Sequence, residues 1–159
     1  MKISIRKGEK ADLPAVLELI KELAVYEKAP DEVVVTVEEM ERDGFGKNPV
    51  YWFHVAEVDS KIVGVALNYI RYSTWKGKCV YLEDIIVHET YRGNKIGKML
   101  FERCIQDAKE MKAKRLVWQV LDWNEPAVNF YRKYNASFDE QWLNGALEYE
   151  QIQNFQLSE

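Results

Sequence analysis

Two neighbouring carboxylates in an apolar run, followed at once by a basic, glycine-bearing turn, hold the densest chemistry in this chain. Residues 81–87 read YLEDIIV, with Glu83 and Asp84 inside a run that has the composition of a strand. Residues 91–97 read YRGNKIG, and an amphipathic helix is expected from Ile96 to Lys112. A strand that stops at such a turn leaves the first N–H groups of the next helix pointing outward, with the helix dipole adding partial positive charge. Gly93 and Gly97 allow close backbone approach, while Arg92 and Lys95 bring formal charge. The combination suits a phosphate or pyrophosphate. It is not a nucleotide P-loop, because Gly97-Lys98 is followed by Met99 rather than a hydroxyl. Spacing alone leaves a plain strand-to-helix turn open as well. A period of two sends Glu83 and Asp84 to opposite faces, so they are not expected to pair, and one of them should meet a cleft.

The elements that position these groups follow from local pattern. Residues 2–6 alternate as a strand, and Asp12 reads as the cap of a helix whose stripe is Leu13, Val16, Leu17, Ile20, Leu23 and Ala24. Thr36 to Glu39 is a capping box that opens a short helix ending near Gly44 and Gly46. Residues 51–58 and 61–72 form a hairpin around Asp59-Ser60, with Gly64 marking a bulge or a close approach. A fifth strand is expected over 115–121. Asn124 and Pro126 then fit the cap and first turn of a helix carrying Tyr131, which can end at Asn135. Residues 138–143 and 146–155 are expected to pair as terminal strands. The order predicts a mixed α/β (α+β) domain, one unit over 1–159, whose ligand site lies at the carboxyl ends of strands.

Composition narrows the partners. A net charge of −4 disfavours nucleic acid, which is bound by clustered Lys and Arg. No signal pattern precedes Lys2-Ile3 and no apolar run reaches membrane-spanning length, so a soluble, cytoplasmic protein with no membrane partner is expected. Cys79 and Cys104 read as core residues. His54 and His88 lack ligands at metal spacing, so no metal is expected.

The stretches Leu82-Glu83-Asp84-Ile85-Ile86-Val87, Tyr91-Arg92-Gly93-Asn94-Lys95-Ile96-Gly97 and Trp123-Asn124-Glu125-Pro126-Ala127-Val128-Asn129-Phe130-Tyr131 together resemble the GNAT superfamily of acetyl-CoA-dependent N-acetyltransferases. The likeness is to its diamine (spermidine/spermine) and thialysine branch, and it extends through Tyr26-Glu27, residues 43–46 and residues 72–77. It implies a mostly antiparallel sheet of about six to seven strands flanked by helices. It also implies that the backbone of Ile85, Ile86 and Val87 holds the pantetheine arm of acetyl-CoA. Arg92, Gly93, Asn94, Lys95, Ile96, Gly97 and Lys98 would bind the pyrophosphate, and Asn124, Glu125, Pro126, Ala127 and Tyr131 would border the cofactor. Tyr131 would be the catalytic tyrosine. By the same resemblance Tyr26, Glu27, Glu83, Val117, Trp118, Gln119 and Glu140 would line the amine site. A homodimer is implied too. Lys95 stands where relatives usually carry glycine, and a negative φ is expected there, with the lysine adding charge.

Granting that resemblance, the chemistry has a magnitude. An alkyl amine of pKa near 10.4 is neutral at pH 7 in about one molecule per few thousand, a deficit of roughly 4–5 kcal/mol for attack as the free base. Glu83, directly or through water, is the expected proton acceptor. Tyr131 would protonate the departing thiolate, since a phenol near 10 donates to a thiolate near 8.5 at small cost. Three functions follow: an acetyltransferase for small cationic amines such as polyamines, thialysine or lysine analogues; a protein-lysine acetyltransferase; or a non-catalytic acyl-CoA-binding module.

Overall fold

The structure is a computed structural model that describes residues 1–158, and the chain forms two compact units, Met1–Leu121 and the residues from 122 onward. In the first unit a single sheet runs in the order β1 (Ile3–Lys7), β2 (Trp52–Val58), β3 (Lys61–Ser73), β4 (Gly77–Val87), β5 (Arg115–Val117). The first four strands pair antiparallel, and β5 lies parallel to β4. Asp59 and Ser60 both take left-handed φ, at 48° and 68°, the conformation that matches strand twist in a two-residue hairpin.

One sheet face is covered by α1 (Leu13–Tyr26) and α2 (Val37–Phe45), the other by α3 (Ile96–Glu110). Leu13, Val16 and Leu17 of α1 and Met40 of α2 bury against Phe53, Val55, Val65, Leu67 and Ile86. The α3 side buries Ile96, Leu100, Phe101 and Cys104. Gly64 makes that second packing possible, because a Cβ there would lie 3.1 Å from both the Ile86 carbonyl and Leu100 Cδ1. The ladder to β2 also shifts register beside it. Asp107 pins α3 to the sheet: its carboxylate accepts from Trp52 Nε1 at 2.9 Å, meets His54 Nε2, and pairs with Arg103 at 3.2 Å. Burial works against the charge of Asp107, but the hydrogen bonds from His54 and Trp52 hold it below the usual carboxylate range.

The second unit carries α4 (Glu125–Arg132) and α5 (Tyr149–Gln153). Asn124 caps α4, its side chain accepting the Ala127 N–H at 3.4 Å, and Asn135 adopts the left-handed φ of 58° anticipated for a helix stop.

Several expectations are corrected. The sheet has five strands among the described residues, not six to seven. Residues 138–143 and 146–155 form no ladder; a capping box between Glu148 and Gln151 starts α5 instead. That local start signal prevails where no neighbouring strand offers a ladder. The fifth strand stops at Val117, three residues long. Helix α3 ends at Glu110, and Lys112 follows in the left-handed conformation. Asp12 precedes α1 without capping it. It accepts instead from both Arg6 Nη atoms at 2.7 and 2.8 Å, and this pairing draws its carboxyl below the usual range.

Candidate active site

Strand β4 splits from its parallel neighbour half-way. Its ladder to β5 covers only Cys79, Val80 and Tyr81, opposite Arg115, Leu116 and Val117. From Leu82 to Val87 the β5-side edge has no ladder partner among the described residues, and this is the stretch containing Ile85, Ile86 and Val87. Backbone groups on such an edge can receive an extended ligand as an added strand would be received. Val117 ends β5, and beyond it Trp118 meets Phe101 edge-on at 5.3 Å, with Gln119 next in the chain.

At the point of divergence the β3 ladder slips. Asn68 faces Leu82 while Leu67 faces Asp84, so Glu83 is the extra residue of a β-bulge. The strict alternation expected for Glu83 and Asp84 is broken there. Glu83 is exposed, and its charge raises the pKa of the Tyr69 and Tyr81 phenols beyond what burial does; Tyr69 reaches about 12. Those two rings stack at 5.0 Å and form the floor beside it. Asp84, paired with Leu67, lies on the α1 face. Burial, then the charges of Glu83 and Glu27, push its carboxyl up to about 6. Glu27, the residue that closes α1, is itself raised by burial. Three acids from two elements thus share one electrostatic neighbourhood. The sequence marks Asp84 as one of two carboxylates that could meet a cleft but assigns it no role, because its coupling to Glu83 depends on the register of a partner strand.

After Val87 the chain makes a 3-10 turn over Glu89–Tyr91 and enters α3 through Arg92, Gly93, Asn94 and Lys95. Gly93 needs its glycine for a φ of 82°. Lys95 is a correction: its φ is 63°, left-handed rather than negative, a strain of roughly 1 kcal/mol for a residue with a Cβ. The path of the turn from Tyr91 to Ile96 sets this conformation, since Thr36 and Asn124 stand at the same position before α2 and α4 with φ of −102° and −82°. Asn94 Nδ2 stitches the turn by donating to the Tyr91 carbonyl at 3.0 Å. No side chain caps α3, and no acid lies in its first turn, whereas α2 has Thr36 with Glu38 and Glu39 and α4 has Asn124 with Glu125. The N–H groups of Ile96, Gly97 and Lys98 therefore face outward without an anionic side chain of their own helix. A Cβ at Gly97 would meet only Val87 Cγ2 at 3.8 Å, so packing within the protein does not require glycine there. An uncapped start with bare backbone fits the diphosphate of an acyl carrier. Lys98 is engaged with Glu102 at 3.3 Å.

Tyr26 ends α1, with the Arg92 guanidinium 5.5 Å over its ring. In the second unit Asn124 precedes α4, Glu125, Pro126 and Ala127 form its first turn, and Tyr131 is buried beside Phe130 at 5.3 Å. Glu140 lies exposed in irregular backbone.

The sequence profile of the acetyltransferase (GNAT) family matches residues 13–136. The chain belongs to the GNAT family. It is an N-acetyltransferase, similar to the thialysine N-epsilon-acetyltransferase of Bos taurus at 39% identity over 142 residues, 84% of each chain. It is also similar to the Homo sapiens spermidine/spermine N(1)-acetyltransferase-like protein 1, at 36% identity over 87% of this chain and 21% of that protein. Among solved structures, an aminoglycoside acetyltransferase from an uncultured soil metagenomic sample superimposes with a TM-score of 0.75 at 20% identity, covering 92% of this chain and 95% of that one. That likeness shows the GNAT fold. No helix among the described residues is long and apolar enough to cross a membrane.

Proposed function

We propose that this GNAT enzyme transfers an acetyl group from acetyl-CoA to a primary amine of a small cationic substrate of the thialysine, lysine-analogue or diamine kind, by direct attack in a ternary complex. One observation carries the reading: an uncapped, acid-free start of α3 stands at the end of the same strand that holds Glu83 and Asp84 beside Glu27. The first feature suits a diphosphate and the second a cation. The relatives named for thialysine and spermidine/spermine support the substrate class.

Bound acetyl-CoA supplies the thioester carbonyl that the amine attacks and the thiolate that leaves. The chain's own residues do the rest. The N–H groups of Ile96, Gly97 and Lys98, with Gly93, Asn94 and the charge of Lys95, hold the diphosphate end. The edge of Ile85, Ile86 and Val87 aligns the arm and places an N–H toward the developing oxyanion. Glu27, Glu83 and Asp84 draw in the ammonium, with Tyr26, Val117, Trp118 and Gln119 shaping the site and Glu140 reading distal charge. Glu83 takes the proton, directly or through water. Asp84, held near 6, narrows the proton-affinity gap to an amine of pKa near 10.4 relative to an ordinary aspartate. Asn124, Glu125, Pro126 and Ala127 border the carrier, and the Tyr131 hydroxyl protonates the leaving sulfur.

Residues 1–159 act in this reading as one cytoplasmic acetyltransferase domain, without nucleic acid or membrane, and as a homodimer. The exposed Trp142, Leu143, Leu147, Ile152 and Phe155 supply apolar surface for a second copy. Sedimentation velocity is expected to show twice the 18.7 kDa chain mass.

The test is acetyl-CoA-dependent thiol release against a panel of free amines and a lysine peptide. Thialysine, lysine or diamines should support turnover well above the peptide. Tyr131→Phe should lower kcat by about 10²-fold or more, the scale of a lost general acid, while CoA still binds. Turnover on the peptide alone would point to a protein-lysine acetyltransferase, and no thiol release with any amine would contradict catalysis.

A further inference from the structure

One side chain of α1 reaches across to the turn that opens α3. Glu22 lies one helical turn before Tyr26 and accepts the Glu89 backbone N–H through Oε1 at 3.0 Å. The same carboxylate stands 3.6 Å from Arg92 Nη2 and 3.8 Å from His88 Nε2. Arg92 donates its Nε–H to the Val87 carbonyl at 3.0 Å, and its Cζ lies over the Tyr26 ring, 5.5 Å from the centroid. The end of β4, the carboxylate of α1 and the aromatic of α1 therefore all engage the one guanidinium. An arginine that serves as an anion clamp presents its fork to two oxygens of the ligand. Here Nε is spent on the strand and Nη2 faces a carboxylate of the protein itself.

We infer that Arg92 is a strut rather than a phosphate ligand, and that Glu22 is a positioning residue that holds it. Together they lock Tyr26 and the turn before α3 into one geometry, so the amine side and the acyl-carrier side of the site are set jointly. The inference rests on the proposed roles of that turn and of Tyr26. It changes the part expected of Arg92, whose guanidinium stands beside Glu22 and over the Tyr26 ring. Diphosphate binding is left to the backbone of α3 and to Lys95.

Steady-state kinetics with both substrates varied, on Glu22→Ala, Glu22→Gln, Arg92→Ala and the Glu22→Ala/Arg92→Ala double variant, tests this. Glu22→Ala should raise the KM of acetyl-CoA and of the amine together, each by about tenfold, the scale of one charge-assisted contact, with kcat within about twofold. Glu22→Gln keeps an acceptor for the Glu89 N–H and loses the charge facing Arg92, so it should fall between Glu22→Ala and the wild type. The double variant should be no weaker than the worse single one, because both remove the same strut. A rise in the acetyl-CoA KM alone, additive losses in the double variant, or unchanged KM values would overturn the proposal. Should Glu22→Ala fail to fold, Glu22→Gln and Arg92→Ala carry the same comparison. Failure of the wild type to bind CoA would instead overturn the functional reading beneath it.

Discussion

Burial beside Glu83 and Glu27 lifts Asp84 from an ordinary aspartate near 3.8 to about 6, with consequences for stability as well as for proton transfer. In the folded chain the neutral form is favoured relative to the unfolded one. The stability this contributes is complete below about pH 4 and is lost as pH rises through 6. At pH 7 to 8 the ionised carboxylate therefore weakens the fold, by up to about 3 kcal/mol at 1.36 kcal/mol per unit, less whatever water screens. Asp84→Asn should melt about 3–8 °C above wild type at pH 8, with the gap closing below pH 4, while amine turnover falls; differential scanning calorimetry at both pH values checks it. An equal gap at the two pH values would contradict the assignment. Glu83 was legible from residue type and neighbours. The role of Asp84 was not, because its coupling to Glu83 depends on a register slip against Leu67 and Asn68 that no reading along one strand reveals.

The start of α3 combines an uncapped helix with a left-handed lysine. Lys95 at φ 63° carries steric strain that glycine would relieve, while glycine also gives the unfolded chain more freedom. Lys95→Gly is expected to raise the unfolding free energy by about 0.5–1 kcal/mol in urea titration, and to weaken CoA binding most at low salt, where the lost charge counts most. The elements that could be read in advance are those whose signals are local. The Thr36–Glu39 capping box, the Asp59–Ser60 hairpin, the Asn124 cap and the Asn135 stop each need only a few consecutive residues. The strand pair expected over 138–143 and 146–155 needed a ladder between the two segments, and the local cap at Glu148 prevailed. The sign of φ at Lys95 depended on the path of the whole turn between two packed elements.

At the scale of the molecule, the succession of elements along the chain was legible from hydrophobic period and turn signals, and it puts the carboxyl end of β4 just before the start of α3. The divergence of β4 from β5 after Tyr81 completes the arrangement, leaving one strand edge, one bare helix start and two carboxylates along a continuous stretch of chain, with Glu27 of the α1 end joining them. From Tyr134 to Glu159 the sequence has no Lys or Arg, and it exposes Trp142 and Leu143. The proposed homodimer would use this surface. Isothermal titration of the wild-type protein with acetyl-CoA and with CoA tests the central claim most directly. The account predicts one site per chain, saturating below millimolar concentration, with affinity falling as salt rises because the diphosphate is held electrostatically. No heat with either ligand at millimolar concentration would contradict it.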